Sequence, residues 1–200
     1  MRVGVLASGA GTNLQAILDR LHGRGLVEVV AVGSDKPGAP ALERARAAGV
    51  PTRVFALAPH ERAPDPRAAR DAATADWLED RGVELVVLAG YMQLLSPAFL
   101  ARFPQRVVNV HPALLPAFPG LRAIEQAVAH GVTVFGVTVH FVDEGIDTGP
   151  IIAQRAIELP DAPKPDEVRA ALRPLEHDLL CEVVAALASE RLPAGTRAGG

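Results

Sequence analysis

Three separated groups of residues have the types and spacing to do chemistry. The first is Asn109-Val110-His111. On a strand alternate side chains share a face, so Asn109 and His111 project together while Val110 points the other way. An amide donor then stands beside the one side chain whose ordinary pKa, about 6.5, suits acid and base work near neutral pH. The bland alternative is a histidine that merely satisfies itself in the core. The second group centres on Asp147, in the glycine-flanked turn Gly145-Ile146-Asp147-Thr148-Gly149. Its carboxylate either shapes a hairpin as an Asx turn or folds over to hold a nearby imidazole in its charged form. His140, two residues after Thr138, either joins that site or packs. The third group is Ser8-Gly9-Ala10-Gly11-Thr12-Asn13, where glycines at a strand-to-helix turn let backbone approach an anion at the positive end of a helix. Leu14 takes the place of the third glycine of a dinucleotide fingerprint, and no Gly-Lys-Ser or Gly-Lys-Thr follows. A mononucleotide or sugar phosphate fits that turn better, and a tight turn that binds nothing is the alternative.

These groups need elements to position them, and the hydrophobic pattern supplies them. An apolar run at 2–7 stops at glycines, and Leu14, Ile17, Leu18 and Leu21 then recur at helical spacing. Thr12 with Gln15 has the form of a capping box, which predicts Thr12 as N-cap. Apolar runs at 27–32, 50–55 and 83–89 predict strands, and 41–48 and 66–80 predict helices, the second opened by Asp65 as N-cap and Pro66 at the first helical position. Ser96-Pro97 repeats that start signal. The strand at 107–111 runs straight into 112–120, whose three prolines forbid regular structure. A helix is expected over 120–130, a strand pair over 133–142 and 150–159, and a closing helix from Asp166 to about Ser189 that Pro174 should kink or split. Residues 193–200 read as a frayed tail. Strands alternating with helices predict an α/β architecture, a mostly parallel twisted sheet with helices on both faces, with an antiparallel element entering near the C-terminal part. A chain of 200 residues suits one domain over 1–192, with a phosphate-binding half at 1–100 and a catalytic half at 101–192.

Composition narrows the functions. Twenty Lys plus Arg against 23 Asp plus Glu give a net charge of −3, with no basic surplus for a phosphate backbone, so nucleic acid is not an expected partner. The single cysteine, Cys181, excludes an intramolecular disulfide and a multi-thiolate zinc site, and His22, His60, His130 and His177 lack ligand spacing, so no metal is expected. No stretch reaches ~18 uninterrupted apolar residues and the opening run is short for a signal segment, which predicts no membrane association and a cytoplasmic location.

Taken in order, the run from Ser8 to Ile17, Asn109-Val110-His111-Pro112-Ala113-Leu114-Leu115-Pro116, and Asp147-Thr148-Gly149-Pro150-Ile151 closely resemble the folate-dependent phosphoribosylglycinamide formyltransferases of purine synthesis. The resemblance runs from residue 1 to about 192. The broader formyltransferase family, which includes methionyl-tRNA formyltransferase, shares the Asn-x-His and Asp motifs, but the short chain leaves no room for an added tRNA-binding domain. The resemblance implies a Rossmann-like formyltransferase fold with Asn109, His111 and Asp147 catalytic. It implies that Gly11, Thr12 and Asn13 bind the ribonucleotide phosphate and that Glu176 contacts the same substrate. Arg67, Met92, Gln93, Leu94 and Leu95, with Asn109, would line the site of 10-formyltetrahydrofolate, the formyl-donor cosubstrate. Glycinamide ribonucleotide and reduced folate, both small molecules, would be the partners, with no metal. Relatives often carry Arg where Gln93 stands and His where Arg122 stands. Two other functions compete: formyl transfer to another amine, on a sugar nucleotide or an aminoacyl-tRNA, and a non-catalytic nucleotide-binding module with Asp35 as a ribose ligand.

Overall fold

Apolar runs that must hide on both faces become the inner strands of a parallel sheet, and the first half of the chain is built from them. A computed structural model describes residues 1–159 and 163–190. In chain order the elements are β1 (Arg2–Leu6), α1 (Thr12–Arg20), β2 (Glu28–Ser34), α2 (Pro40–Ala47), β3 (Thr52–Val54), a single 3-10 turn (Ala58–His60), α3 (Pro66–Glu79), β4 (Leu85–Leu88) and α4 (Pro97–Arg102). They continue as β5 (Val107–His111), α5 (Ala123–Ala129), β6 (Val134–Phe141), β7 (Ile151–Glu158) and α6 (Pro165–Ala188). The strand order is β3-β2-β1-β4-β5-β6-β7 in one seven-stranded sheet. The α/β architecture, mostly parallel with a late antiparallel element, is as expected.

The chain forms two compact units, Met1–Asn109 and the residues from Val110 onward. In the first, β1 pairs in parallel with β2 and β4, β2 with β3, and β4 with β5. Parallel neighbours need crossovers, and α1, α2, α3 and α4 lie in them. Leu14, Ile17, Leu42 and Leu78 from these helices and Val3, Val5, Leu6 and Val87 from the strands are all fully buried. Two helix starts behave as their sequences require: Asp65 accepts from the Ala68 N–H at 3.0 Å, and Ser96 from the Phe99 N–H at 3.3 Å.

Helix α1 starts differently from the expectation. Gly11, with φ 71°, is the N-cap, Thr12 is the first helical residue, and the Gln15 amide turns to Asp19 at 2.8 Å. A long-range approach decides this: a Cβ at position 11 would lie 2.7 Å from Ala41 of α2. Only glycine combines that approach with a left-handed backbone.

In the second unit β6 and β7 run antiparallel, and α6 buries Val168, Leu172, Leu180 and Val184. Pro174 does not split α6, which is one helix of 24 residues. Buried residues stand on both sides of the proline while the proline itself is exposed, so one continuous apolar stripe outweighs the hydrogen bond it omits. Of the expected tail, residues 193–200 lie outside the described residues.

Candidate active site

Strand β5 ends at His111, and the loop after it carries the backbone groups that surround this imidazole. His111 is 4% exposed. Its Nδ1 lies 3.2 Å from Asp147 Oδ2 and its Nε2 lies 2.8 Å from the Phe118 carbonyl. Both neighbours are acceptors, so a ring protonated on both nitrogens satisfies both contacts. Asp147 Oδ2 also accepts from the Gly120 N–H at 2.8 Å, and Oδ1 lies 3.5 Å from His140 Nε2. His140 is 2% exposed and its Nδ1 stands 2.8 Å from the Phe141 carbonyl. Burial pushes the Asp147 carboxyl up, but hydrogen bonds from His140 and Gly120 and the positive charge of His111 more than offset it and hold it below the usual carboxylate range.

The two readings of the 143–149 turn are thereby separated. Asp143 is the residue that shapes it, accepting from the Gly145 N–H at 3.1 Å and the Thr148 hydroxyl at 2.8 Å. Asp147, with φ 54°, turns its carboxylate to the two histidines instead. Gly149 permits the fold-back, since a Cβ there would run into the Phe141 carbonyl. The proline-rich loop is fixed from below by Thr138, fully buried, whose hydroxyl donates to the Ala113 carbonyl at 2.7 Å and accepts from the Leu115 N–H at 3.1 Å. Gln154 adds bonds of 2.9 Å to Thr138 and to the Leu115 carbonyl.

Within the first unit the glycine turn and the 92–95 segment are neighbours. The Ser8 hydroxyl accepts from the Met92 N–H at 2.9 Å, and the Ser8 N–H donates to the Gly90 carbonyl at 3.0 Å. From α2, the Ala41 N–H reaches the Gly9 carbonyl at 3.2 Å and Arg44 reaches the Ala10 carbonyl at 2.8 Å. The turn is rigidly held at the start of α1, whose first-turn N–H groups suit an anion. A Cβ at Gly9 would meet nothing within 4 Å, so that side of the turn is open. Met92 and Leu94 are 55% and 49% exposed. Gln93 is engaged by the protein: its Oε1 accepts from Arg70 at 2.8 Å and its Nε2 donates to Asp35 at 2.9 Å. Asp35 Oδ2 is thus engaged by Gln93, while its buried Oδ1 accepts no hydrogen bond among the described residues.

The remaining expected residues stand on several elements. Asn109 precedes His111 by two positions on β5 and is partly exposed. Arg67 is exposed in the first turn of α3, and Glu176 is half-buried on α6, just past Pro174. Arg122 is an exposed N-cap with φ 60°. Sequence reasoning left His140 undecided and passed over Arg70 and Asp71. A signal for Arg70 was present, because Arg70, Thr74, Trp77 and Leu78 recur at helical spacing on the buried stripe of α3. Among the described residues no group of three or more His, Cys, Asp or Glu could hold a metal ion, and no helix is long and apolar enough to cross a membrane.

The fold is a mostly parallel α/β sheet whose fifth strand ends in Asn-x-His, with the Asp147 carboxylate folded onto that histidine. Residues 1–184 match the Formyl transferase family, and the chain belongs to it. Within that class its relatives are the phosphoribosylglycinamide formyltransferases. The Bacillus subtilis (strain 168) enzyme is 41% identical over 177 residues, 88% of this chain and 89% of the relative. That of Mycobacterium tuberculosis (strain ATCC 25618 / H37Rv) is 45% identical over 188 residues, 94% of this chain and 85% of the relative. The crystal structure of glycinamide ribonucleotide transformylase 1 from Symbiobacterium toebii matches with a TM-score of 0.92 at 47% identity, covering 98% of this chain and 92% of that one.

Proposed function

We propose that this enzyme transfers the formyl group of 10-formyltetrahydrofolate to the amine of glycinamide ribonucleotide, giving the formylated ribonucleotide and tetrahydrofolate, in the cytoplasm and as a step of de novo purine synthesis. The observation that carries the chemistry is the seat of His111, with a carboxylate on Nδ1 and a carbonyl on Nε2. Each ring nitrogen of His111 faces an acceptor, so the ring can present an Nε2–H to substrate. As the amine attacks the formyl carbon, negative charge grows on the formyl oxygen, and Asn109 together with the Nε2–H of His111 would donate to it. The Phe118 carbonyl keeps that N–H pointed and yields it when a better acceptor arrives.

The amine loses one proton and the folate nitrogen gains one, so the net transfer needs a carrier and no oxidant. Asp147 steadies the positive imidazole and would help pass that proton, directly or through water. Gly11, Thr12 and Asn13 would hold the phosphate, with Glu176 on the same substrate. Met92, Gln93, Leu94, Leu95 and Arg67 would border the folate. The residues fit such a ligand: the 92–95 segment presents two exposed apolar side chains on a backbone pinned from the protein side. The folate supplies a formyl group on a leaving nitrogen. Holding both substrates together makes the attack effectively unimolecular, so no acyl-enzyme is needed.

The test follows the folate absorbance change as formyl passes to glycinamide ribonucleotide. Wild type should turn over, and His111→Ala should lose about 10²- to 10⁴-fold in kcat. A folded wild type that formylates other amines but not this one would overturn the substrate, and an active His111→Ala would overturn the role of the histidine.

A further inference from the structure

Helix α3 carries a charge that nothing in the proposed reaction uses. Arg70 is 1% exposed and Asp71, beside it, is fully buried. Adjacent helical residues do not normally face each other, yet the guanidinium curls back so that Nε and Nη2 reach Asp71 Oδ1 at 2.9 and 2.7 Å. The remaining donors leave the helix. Nη1 donates to Gln93 Oε1 at 2.8 Å and Nη2 to the Leu94 carbonyl at 3.3 Å. The second oxygen of Asp71 accepts the Ser96 N–H at 2.7 Å. Gln93 continues the chain to Asp35 at 2.9 Å, and Ser8 takes the Met92 N–H at 2.9 Å. Residues 92, 93, 94 and 96 are thus each held from beneath, while Met92 and Leu94 point their apolar side chains outward.

Burying two full charges is costly, and an apolar pair of similar volume would often serve stability as well. What an apolar pair would not provide is a planar fork that fixes a side-chain amide and a backbone carbonyl of the same loop. We propose that Arg70, braced by Asp71 and acting through Gln93 and the Leu94 carbonyl, is the positioning residue that presets the 92–95 loop to receive the reduced folate. The inference rests on the reading of 92–95 as the folate-binding segment. It makes Gln93 an internal strut of that platform, and it accounts for an arginine on the core stripe of α3. A preset loop has little ordering cost left when the ligand arrives, so the effect falls on folate affinity and not on the ribonucleotide.

The experiment measures KM for 10-formyltetrahydrofolate, KM for glycinamide ribonucleotide and the melting temperature, with tetrahydrofolate binding followed by protein fluorescence as a readout independent of turnover. Gln93→Leu, which leaves the Arg70–Asp71 pair whole, should raise the folate KM and Kd by about tenfold, the worth of one or two lost hydrogen bonds, with the ribonucleotide KM within about twofold. Arg70→Gln should raise the folate constants further. The exchange Arg70→Gln/Gln93→Arg keeps one guanidinium between Asp35 and Asp71 and should recover most of the loss. Should Arg70→Gln not fold, Arg70→Lys, which keeps the charge beside Asp71 and loses the planar fork, takes its place with the same expected rise in the folate constants. Variants with lower melting temperature but unchanged folate constants, or with both KM values raised equally, would reduce Arg70 to scaffolding and overturn the proposal. A folded wild type that binds no tetrahydrofolate would instead remove the folate reading of 92–95, and this proposal with it.

Discussion

Asp71 and Asp147 are both withdrawn from water and both bonded to cationic side chains, yet they are built for opposite purposes. Asp71 faces Arg70, whose charge is permanent at any working pH, and a backbone N–H takes its other oxygen. Asp147 faces two imidazoles, and a backbone N–H shares one of its oxygens. Here the partners are side chains that can donate and accept a proton during a reaction. Two nearby side chains follow the same division. Tyr91, buried beside Arg70, Asp35 and Asp71, has its phenol pushed up by burial and stays neutral, whereas His140 brings a second titratable ring to Asp147. A carboxylate on arginine fixes shape, and one on histidine handles charge.

Exchanging each carboxylate for its amide tests the distinction, and the larger effect is expected at Asp147. Asp147→Asn keeps the size of the side chain and removes the charge that steadies imidazolium. Its kcat should fall by roughly a hundredfold or more, with ribonucleotide KM little changed, in steady-state assays at neutral pH. Unchanged turnover would refute the role given to Asp147. Asp71→Asn should show the reverse pattern. Removing one partner of a buried ion pair strands the other, so its unfolding free energy should drop by about 3–5 kcal/mol in urea titrations, while kcat of the remaining folded enzyme changes far less. If Asp71→Asn lost turnover without losing stability, the division between shape and charge would collapse.

The parts of the fold that local chemistry decides were legible in the sequence. Asp65 and Ser96 cap their helices because a cap needs only the next three residues. The Asn-x-His strand and the glycine turn were likewise visible, because period-two alternation and glycine spacing are short-range signals. What stayed hidden depends on distant contacts. Thr12 lost the capping position because Ala41, thirty residues on, leaves room only for glycine at position 11. Pro174 fails to break α6 because residues on both sides of it are buried. In the 143–149 turn either aspartate could make an Asx turn by type, and only the fold-back at Gly149 assigns that task to Asp143 and sends Asp147 to the histidines. Arg70 needed a partner 23 positions away.

The smallest expected effect is on acid stability, and it sharpens the contrast from the side of Asp147. Its carboxyl is held below the usual range because the hydrogen bonds from His140 and Gly120 and the positive His111 outweigh burial. On acidification the unfolded chain therefore takes up this proton first, near its ordinary value of about 3.9. The stability that Asp147 contributes is whole above that pH and fades as pH falls through the lower folded value. In Asp147→Asn this titration is absent. The stability gap between wild type and Asp147→Asn, read as urea midpoints at pH 6, 4 and 3, should be widest at pH 6 and shrink toward pH 3. A gap that stayed constant would mean that the carboxylate gains nothing from its imidazoles, and the histidine cluster would then be packing and not a charge-handling device.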